Sequence, residues 1–333
     1  MENFYALAFI LSCLLNIYQG VLAIGINYGL QGDNLPLPSD AIATLQSRNV
    51  PKIRLFEPNE DVLTALKGTG ISVIIGTRNE DLEPLAIDSS AASTWIQTNV
   101  IPYYTSVNII CIAAGNEVVP GDLAQYVPAA MQNLDSAMTA AKIAIPVSTA
   151  VSMQVLSVSS PPSQGVLSPD AAPIMNQITT FLASRRSPLL INVYPYYARA
   201  GDPANIPLDY ALFEDTATGV PDGSLTYHNL FDAMVDAVYA ALEKAGRGDV
   251  GVVVSETGWP TDGGIDASIE NAKTYVNNLI EHVSSGEGTP RRPGKNVETY
   301  IFSLFKEDLK SEGIEQHWGL YYPNLTEVYH ANL

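Results

Sequence analysis

A (β/α)8 barrel is the fold class predicted by this sequence of 333 residues. Three observations predict it. Eight short apolar runs recur along the chain, each of a length that suits a strand buried on both faces. Segments of helical character lie between them. The first run continues as "GINYGLQG", which lacks the G-x-G-x-x-G spacing of the phosphate turn usual in the alternative arrangement, a doubly wound sheet.

The runs, in order, are "AIGINYG", "KIRLF", "ISVIIGT", "NIICIAAGNE", "IPVSTAV", "LLINVYPY", "VGVVVSE" and "ETYIFSLF". Helical segments are expected over residues 40–47, 60–66, 90–100, 123–141, 171–183, 230–245 and 268–283. The clearest reads "FDAMVDAVYAALEKAG", with apolar positions at helical spacing, a Lys in its last turn and Gly246 as a stop signal. After the sixth run, "YPYYARAGDPANIPLDYALFEDTATGVPDGS" is too long and turn-rich for a tight loop. It reads as a small excursion over one face, between strand six and its helix. No linker, composition break or short-period repeat divides the chain. One domain is therefore expected over residues 24–333, after a leader at residues 1–23.

The leader reading rests on a mostly apolar stretch at residues 5–17, followed by Val21, Leu22 and Ala23 at the positions a signal peptidase reads. A secreted, extracellular protein beginning at Ile24 is the expectation, although "MENFY" lacks the usual basic residue. Cys13 would leave with the leader, so Cys111 alone remains and no internal disulfide is possible. Cys111 sits in an apolar run and reads as a buried, inert thiol. The triplet "NLT" makes Asn324 a glycosylation candidate. A net charge of −18 argues against nucleic acid or an anionic membrane surface as a partner. A neutral substrate fits better, with no membrane anchor and a monomer expected.

In a barrel of this kind the chemistry gathers where strands end. Two carboxylates close apolar runs: Glu117 after "IICIAAGN" and Glu256 after "VGVVVS". A carboxylate there costs desolvation energy, which function justifies more readily than packing does. If strands four and seven carry them, the two face each other across the barrel mouth. Paired carboxylates suit glycoside hydrolysis, one protonated to serve as acid and one ionised to attack carbon or activate water. The competing explanation is that each is a structural acid paired with an Arg or set at a helix N-terminus. His228, His282, His317 and His330 have no metal-ligand spacing, and Ser255 lacks the G-x-S-x-G elbow, so no metal, cofactor or serine triad is expected. Aromatic residues crowd the same strand ends. Among them Tyr28, Tyr194 and Trp259 read as surfaces for the apolar faces of sugar rings, with core packing as the alternative.

With these motifs in hand, "VVVSETGWP" followed by "TDGG", together with "IAAGNEV", resembles the plant endo-1,3-β-glucanases of glycoside hydrolase family 17. The resemblance runs from "IGINYG" to the end and includes "IRLFEPN", "PLLINVYPYYA", "GTPRRPG" and "WGLYYPN". It implies a (β/α)8 barrel, secretion and hydrolysis of internal β-1,3-glucosidic bonds with retention, without metal or cofactor. The partner it implies is a β-1,3-glucan polysaccharide. Carried over by position, Glu256 matches the nucleophile, Glu117 the general acid and Asn116 a neighbour that contacts the sugar. Tyr28 and Tyr194 match groups lining the cleft. "FKEDLK" keeps Phe305, Glu307 and Lys310 of a substrate-binding motif, whereas Lys306 and Asp308 depart from it. Mixed-linkage 1,3;1,4-glucan, or a glucan-binding wall protein without catalysis, are the alternatives.

Overall fold

The computed structural model describes residues 24–333. The leader and Cys13, expected within residues 1–23, lie outside the described residues. Eight parallel strands close a barrel: β1 Ile24–Asn27, β2 Lys52–Leu55, β3 Ser72–Gly76, β4 Asn108–Asn116, β5 Val147–Ser152, β6 Leu189–Asn192, β7 Val252–Thr257 and β8 Thr299–Ile301. Closure comes from β1, which pairs with β2 on one side and, at Ile24 with Thr299, with β8 on the other. Each of the eight apolar runs supplies one strand. A short run buried on both faces can satisfy its backbone only between two neighbours, and a closed sheet provides two to every strand.

The crossovers carry α1 Pro38–Ser47, α2 Glu60–Ala65, α3 Leu82–Ile87, α4 Ser89–Asn99, α5 Val127–Ala140, α6 Ala172–Arg185, α7 Leu230–Lys244 and α8 Ile269–Ser284. Local chemistry fixes several starts. Asn59, Asn229 and Ser268 each accept a bond from a backbone N–H in the first turn of α2, α7 and α8. Of these helices, α3 was not expected from the sequence. Its "LEPLAI" contains Pro84, which is tolerated because it falls in the first turn.

The barrel interior is filled by Ile74, Cys111, Ala113, Ala150, Leu190, Val253 and Tyr300. Cys111 is free and buried there, and burial pushes its thiol up to about 12. A larger apolar layer joins the outside of the barrel to the helices. The excursion after β6 is present as two helical turns, Pro195–Gly201 and Leu208–Ala211, and a hairpin of Val220–Asp222 with Leu225–Tyr227. One departure from the ideal pattern follows β8. Residues 302–333 form no α-helix, only a 3-10 turn at Ile314–Gln316, and they pack through buried Trp318, Leu320, Tyr321 and Tyr329. The sequence there is rich in aromatic residues and has no helical periodicity.

Candidate active site

Both acid-bearing strands lose their regular register at the tip. Pairing of β4 with β5 shifts between Ala113 and Asn116, and pairing of β7 with β6 shifts between Val254 and Glu256. Such irregularities re-aim side chains at strand ends. At β4 the turn is sharp: Gly115 has φ +73 and Glu117 has φ +55. A Cβ on Gly115 would also lie 2.8 Å from Leu82 Cδ1. Glu117 has no such excuse and is held in the left-handed region by its neighbours. The Gly115 N–H donates to Thr77 Oγ1 (3.0 Å), the Asn116 N–H to Asn79 Oδ1 (2.8 Å), and the Glu117 N–H to the Ala150 carbonyl (2.8 Å).

These tips open into one groove of about 1260 Å³, whose walls include Glu117, Glu256, Asn116 and Asn192. Glu256 is buried and fully engaged. Arg54 donates to its Oε1 at 2.7 Å, and the Tyr194 hydroxyl donates to its Oε2 at 2.7 Å. Arg54 is 1% exposed, so the ion pair is screened by protein on nearly every side. The same guanidinium donates to Asn116 Oδ1 at 2.8 Å and to Asn27 Oδ1 at 3.2 Å. It lies 4.6 Å from the centre of the Phe56 ring.

Glu117 is different. It is exposed to the groove, and among the described residues its carboxyl accepts one hydrogen bond, from Asn192 Nδ2 to Oε1 at 2.8 Å. The packed surroundings of its carboxyl, and next the charge of Glu256, push its pKa above the usual carboxylate range. The Asn192 hydrogen bond and the Arg54 charge pull it back in part. Asn192 is itself fixed, because its Oδ1 accepts from Ser255 Oγ at 2.7 Å. Its Nδ2 also reaches Asn116 Oδ1 at 3.2 Å. With two donors on that oxygen, Asn116 keeps its amide N–H groups for the groove. Two carboxyls of one residue type thus sit in unlike surroundings, Glu256 held by a guanidinium and a phenol and Glu117 by a single amide. Among the described residues no cluster of His, Cys, Asp and Glu could hold a metal ion.

The structure brings Glu117, Glu256, Asn116, Tyr28, Tyr194, Glu307 and Lys310 to the groove. Tyr28 presents little surface, and its hydroxyl is buried without a partner among the described residues. Glu307 accepts from the Gln31 N–H at 2.7 Å and sits 3.4 Å from Lys310 Nζ, which lies 4.2 Å from the centre of the Phe302 ring. Gly29 leaves the space that the Glu307 carboxylate fills, since a Cβ there would come within 2.3 Å of it.

Two expectations are corrected. Trp259 is 0% exposed and turns away from the groove, its indole N–H donating to the Asp266 carbonyl at 2.9 Å. Phe305 is buried against Tyr28 and Tyr321. Both are core residues, because an aromatic beside a strand end packs inward as readily as it faces the mouth. Phe56, Phe302 and Trp318 supply groove aromatics instead. Asn324 lies away from the acids, exposed, with its Oδ1 accepting from Thr326 Oγ1 at 2.6 Å. Arg54 and Asn192 were not expected from the sequence. A charge inside "KIRLF" was the available signal, since an Arg on a buried strand requires a buried acceptor.

The sequence model of the glycosyl hydrolases family 17 matches residues 24–333. The chain belongs to glycosyl hydrolase family 17. This family-17 hydrolase is 48% identical over 318 residues to a glucan endo-1,3-beta-glucosidase of Vitis vinifera, covering 93% of this chain and 91% of that one. Among solved structures it resembles CJP38, a beta-1,3-glucanase and allergen of Cryptomeria japonica pollen. The TM-score is 0.90 at 45% identity, over 93% of this chain and 98% of that one. It also resembles one from a study of two plant beta-glucan endohydrolases with distinct substrate specificities. That match has a TM-score of 0.89 at 43% identity, over 93% of this chain and all of the other.

Proposed function

We propose that this hydrolase is a secreted endo-enzyme that cleaves internal β-1,3-glucosidic bonds of a β-1,3-glucan with retention of configuration. The observation that carries the reading is the pair of glutamates in one groove, one clamped by Arg54 and Tyr194, the other open and raised in pKa. Glu117 gives its proton to the leaving glycosidic oxygen while Glu256 attacks the anomeric carbon, forming a glycosyl ester as the old bond breaks. Glu117, now ionised, takes a proton from water, whose oxygen displaces Glu256 and completes the product hemiacetal. The linkage is the one for which its relatives are named. An open groove with room beyond a single sugar supports internal attack, since a site for one small molecule occupies only about 300–1,000 Å³.

The test is the product set released from linear β-1,3-glucan, with the anomer formed first read by proton NMR. A series of oligosaccharides whose new ends are β at birth is the expected result. The α anomer would overturn retention, and release of glucose alone would overturn internal cleavage. Secretion is tested by sequencing the exported protein, which should begin at Ile24. A mixed-linkage 1,3;1,4-glucan is the second reading, favoured by one fact: the same fold serves endohydrolases of distinct specificity. Faster cleavage of that polymer than of linear glucan would select it.

A further inference from the structure

Away from the glutamates, the groove wall is made by two hairpins from different crossovers. One, Leu156–Val158 with Val166–Leu167, follows β5, and the loop within it brings Ser159, Pro161 and Pro162 to the groove. The other is the hairpin of the excursion, which brings Val220 and Tyr227. They meet through one carboxylate. Asp222 accepts from the Ser163 N–H at 2.6 Å on one oxygen and from Ser163 Oγ at 2.6 Å on the other.

The two partners are not equally secured. The Ser163 loop is seated on α7, so closely that a Cβ on Gly165 would lie 2.1 Å from the Ala237 carbonyl. The excursion hairpin has three residues per strand and turns through Gly223 at φ +63. A two-stranded hairpin of that size is marginal alone. Tyr227 pins its inner strand against Tyr210 and Ala233, but Val220 and Pro221 on the outer strand are exposed. Beyond its pairing with the inner strand, the outer strand is tied to a fixed body by the two charge-assisted bonds that Ser163 donates to Asp222.

We propose that Asp222 and Ser163 form a positioning latch that holds the distal groove wall in register and so sets how strongly long substrate chains are preferred over short ones. The inference rests on the reading that the groove binds a β-glucan. Val220 and Pro161 present exposed apolar surface suited to the C–H faces of sugar rings. Neither partner of the latch bonds Glu117 or Glu256, so the latch acts on binding of remote units and leaves the reacting bond alone.

The experiment compares wild type with Asp222→Ala and Ser163→Ala on a long linear β-1,3-glucan and on the shortest oligosaccharide the wild type cleaves. The expected result is a KM about tenfold higher for the long chain, the scale of one charge-assisted hydrogen bond, with kcat and short-substrate kinetics kept. Ser163→Thr should restore most of the loss. Equal losses on both substrates, a fall in kcat alone, or no change would each overturn the latch. Retardation of the same proteins in a gel containing the long glucan needs no turnover. It reads the latch even if the proposed cleavage fails: less retardation of the alanine variants supports it, and equal retardation overturns it.

Discussion

Glu256 and Glu117 end two strands of one barrel and share one groove, yet their surroundings are opposites. Around Glu256 every carboxylate oxygen has a donor, one of them a buried guanidinium. Around Glu117 one amide donates, solvent reaches the rest, and the backbone itself is held in a left-handed conformation. The difference teaches that the division of labour lies in the neighbours. An identical side chain is clamped where a guanidinium and a phenol converge on it, and is held toward its protonated form where the packed surroundings of its carboxyl and a nearby negative charge resist ionisation.

The largest expected effect removes the anion. Glu256→Gln should lower turnover of linear glucan by about 10³-fold or more while circular dichroism stays native. Near-normal turnover would erase the contrast between the two acids. Next comes its clamp. Arg54→Met strands a buried carboxylate, and denaturant unfolding should show a loss of about 3–5 kcal/mol together with a large fall in kcat. Arg54→Lys should recover stability better than activity, because a point charge cannot reach Glu256, Asn116 and Asn27 at once.

Glu117→Gln should cost about 10²–10⁴-fold on glucan, and far less on an aryl glycoside whose leaving group needs no proton. Equal losses on both substrates would deny it the acid role. The smallest effect concerns pH. Because the Asn192 bond holds the Glu117 pKa down, Asn192→Ala should move the alkaline limb of kcat/KM to higher pH. A shift to lower pH would contradict the assigned cause. The raised pKa has a stability counterpart of defined sign. The folded chain keeps this proton where the unfolded chain has released it. Its contribution is therefore full below the unfolded carboxyl pKa and is lost as pH rises through the folded one.

Much of this was legible in the residues. Eight apolar runs gave eight strands because burial on both faces leaves a continuous signature. Glu117 and Glu256 stood out because a charge at the end of such a run is expensive. Pattern could not say which way an aromatic turns, so Trp259 and Phe305 were misplaced in the cleft while Phe302 and Trp318 were overlooked. Arg54 and Asn192 escaped for another reason. Their roles exist only once the barrel closes and gathers the ends of strands two, four, six and seven around one mouth, a relation that no local spacing encodes.

Ser255 touches neither glutamate through its side chain, but its hydroxyl locks the orientation of the Asn192 amide. That amide already points an N–H at Glu117 before any reaction begins. In the proposed mechanism, the negative charge left when Glu117 surrenders its proton therefore arises beside a dipole that has no need to turn. The cost of rearranging the surroundings, which water would exact afresh in each cycle, was met once, during folding.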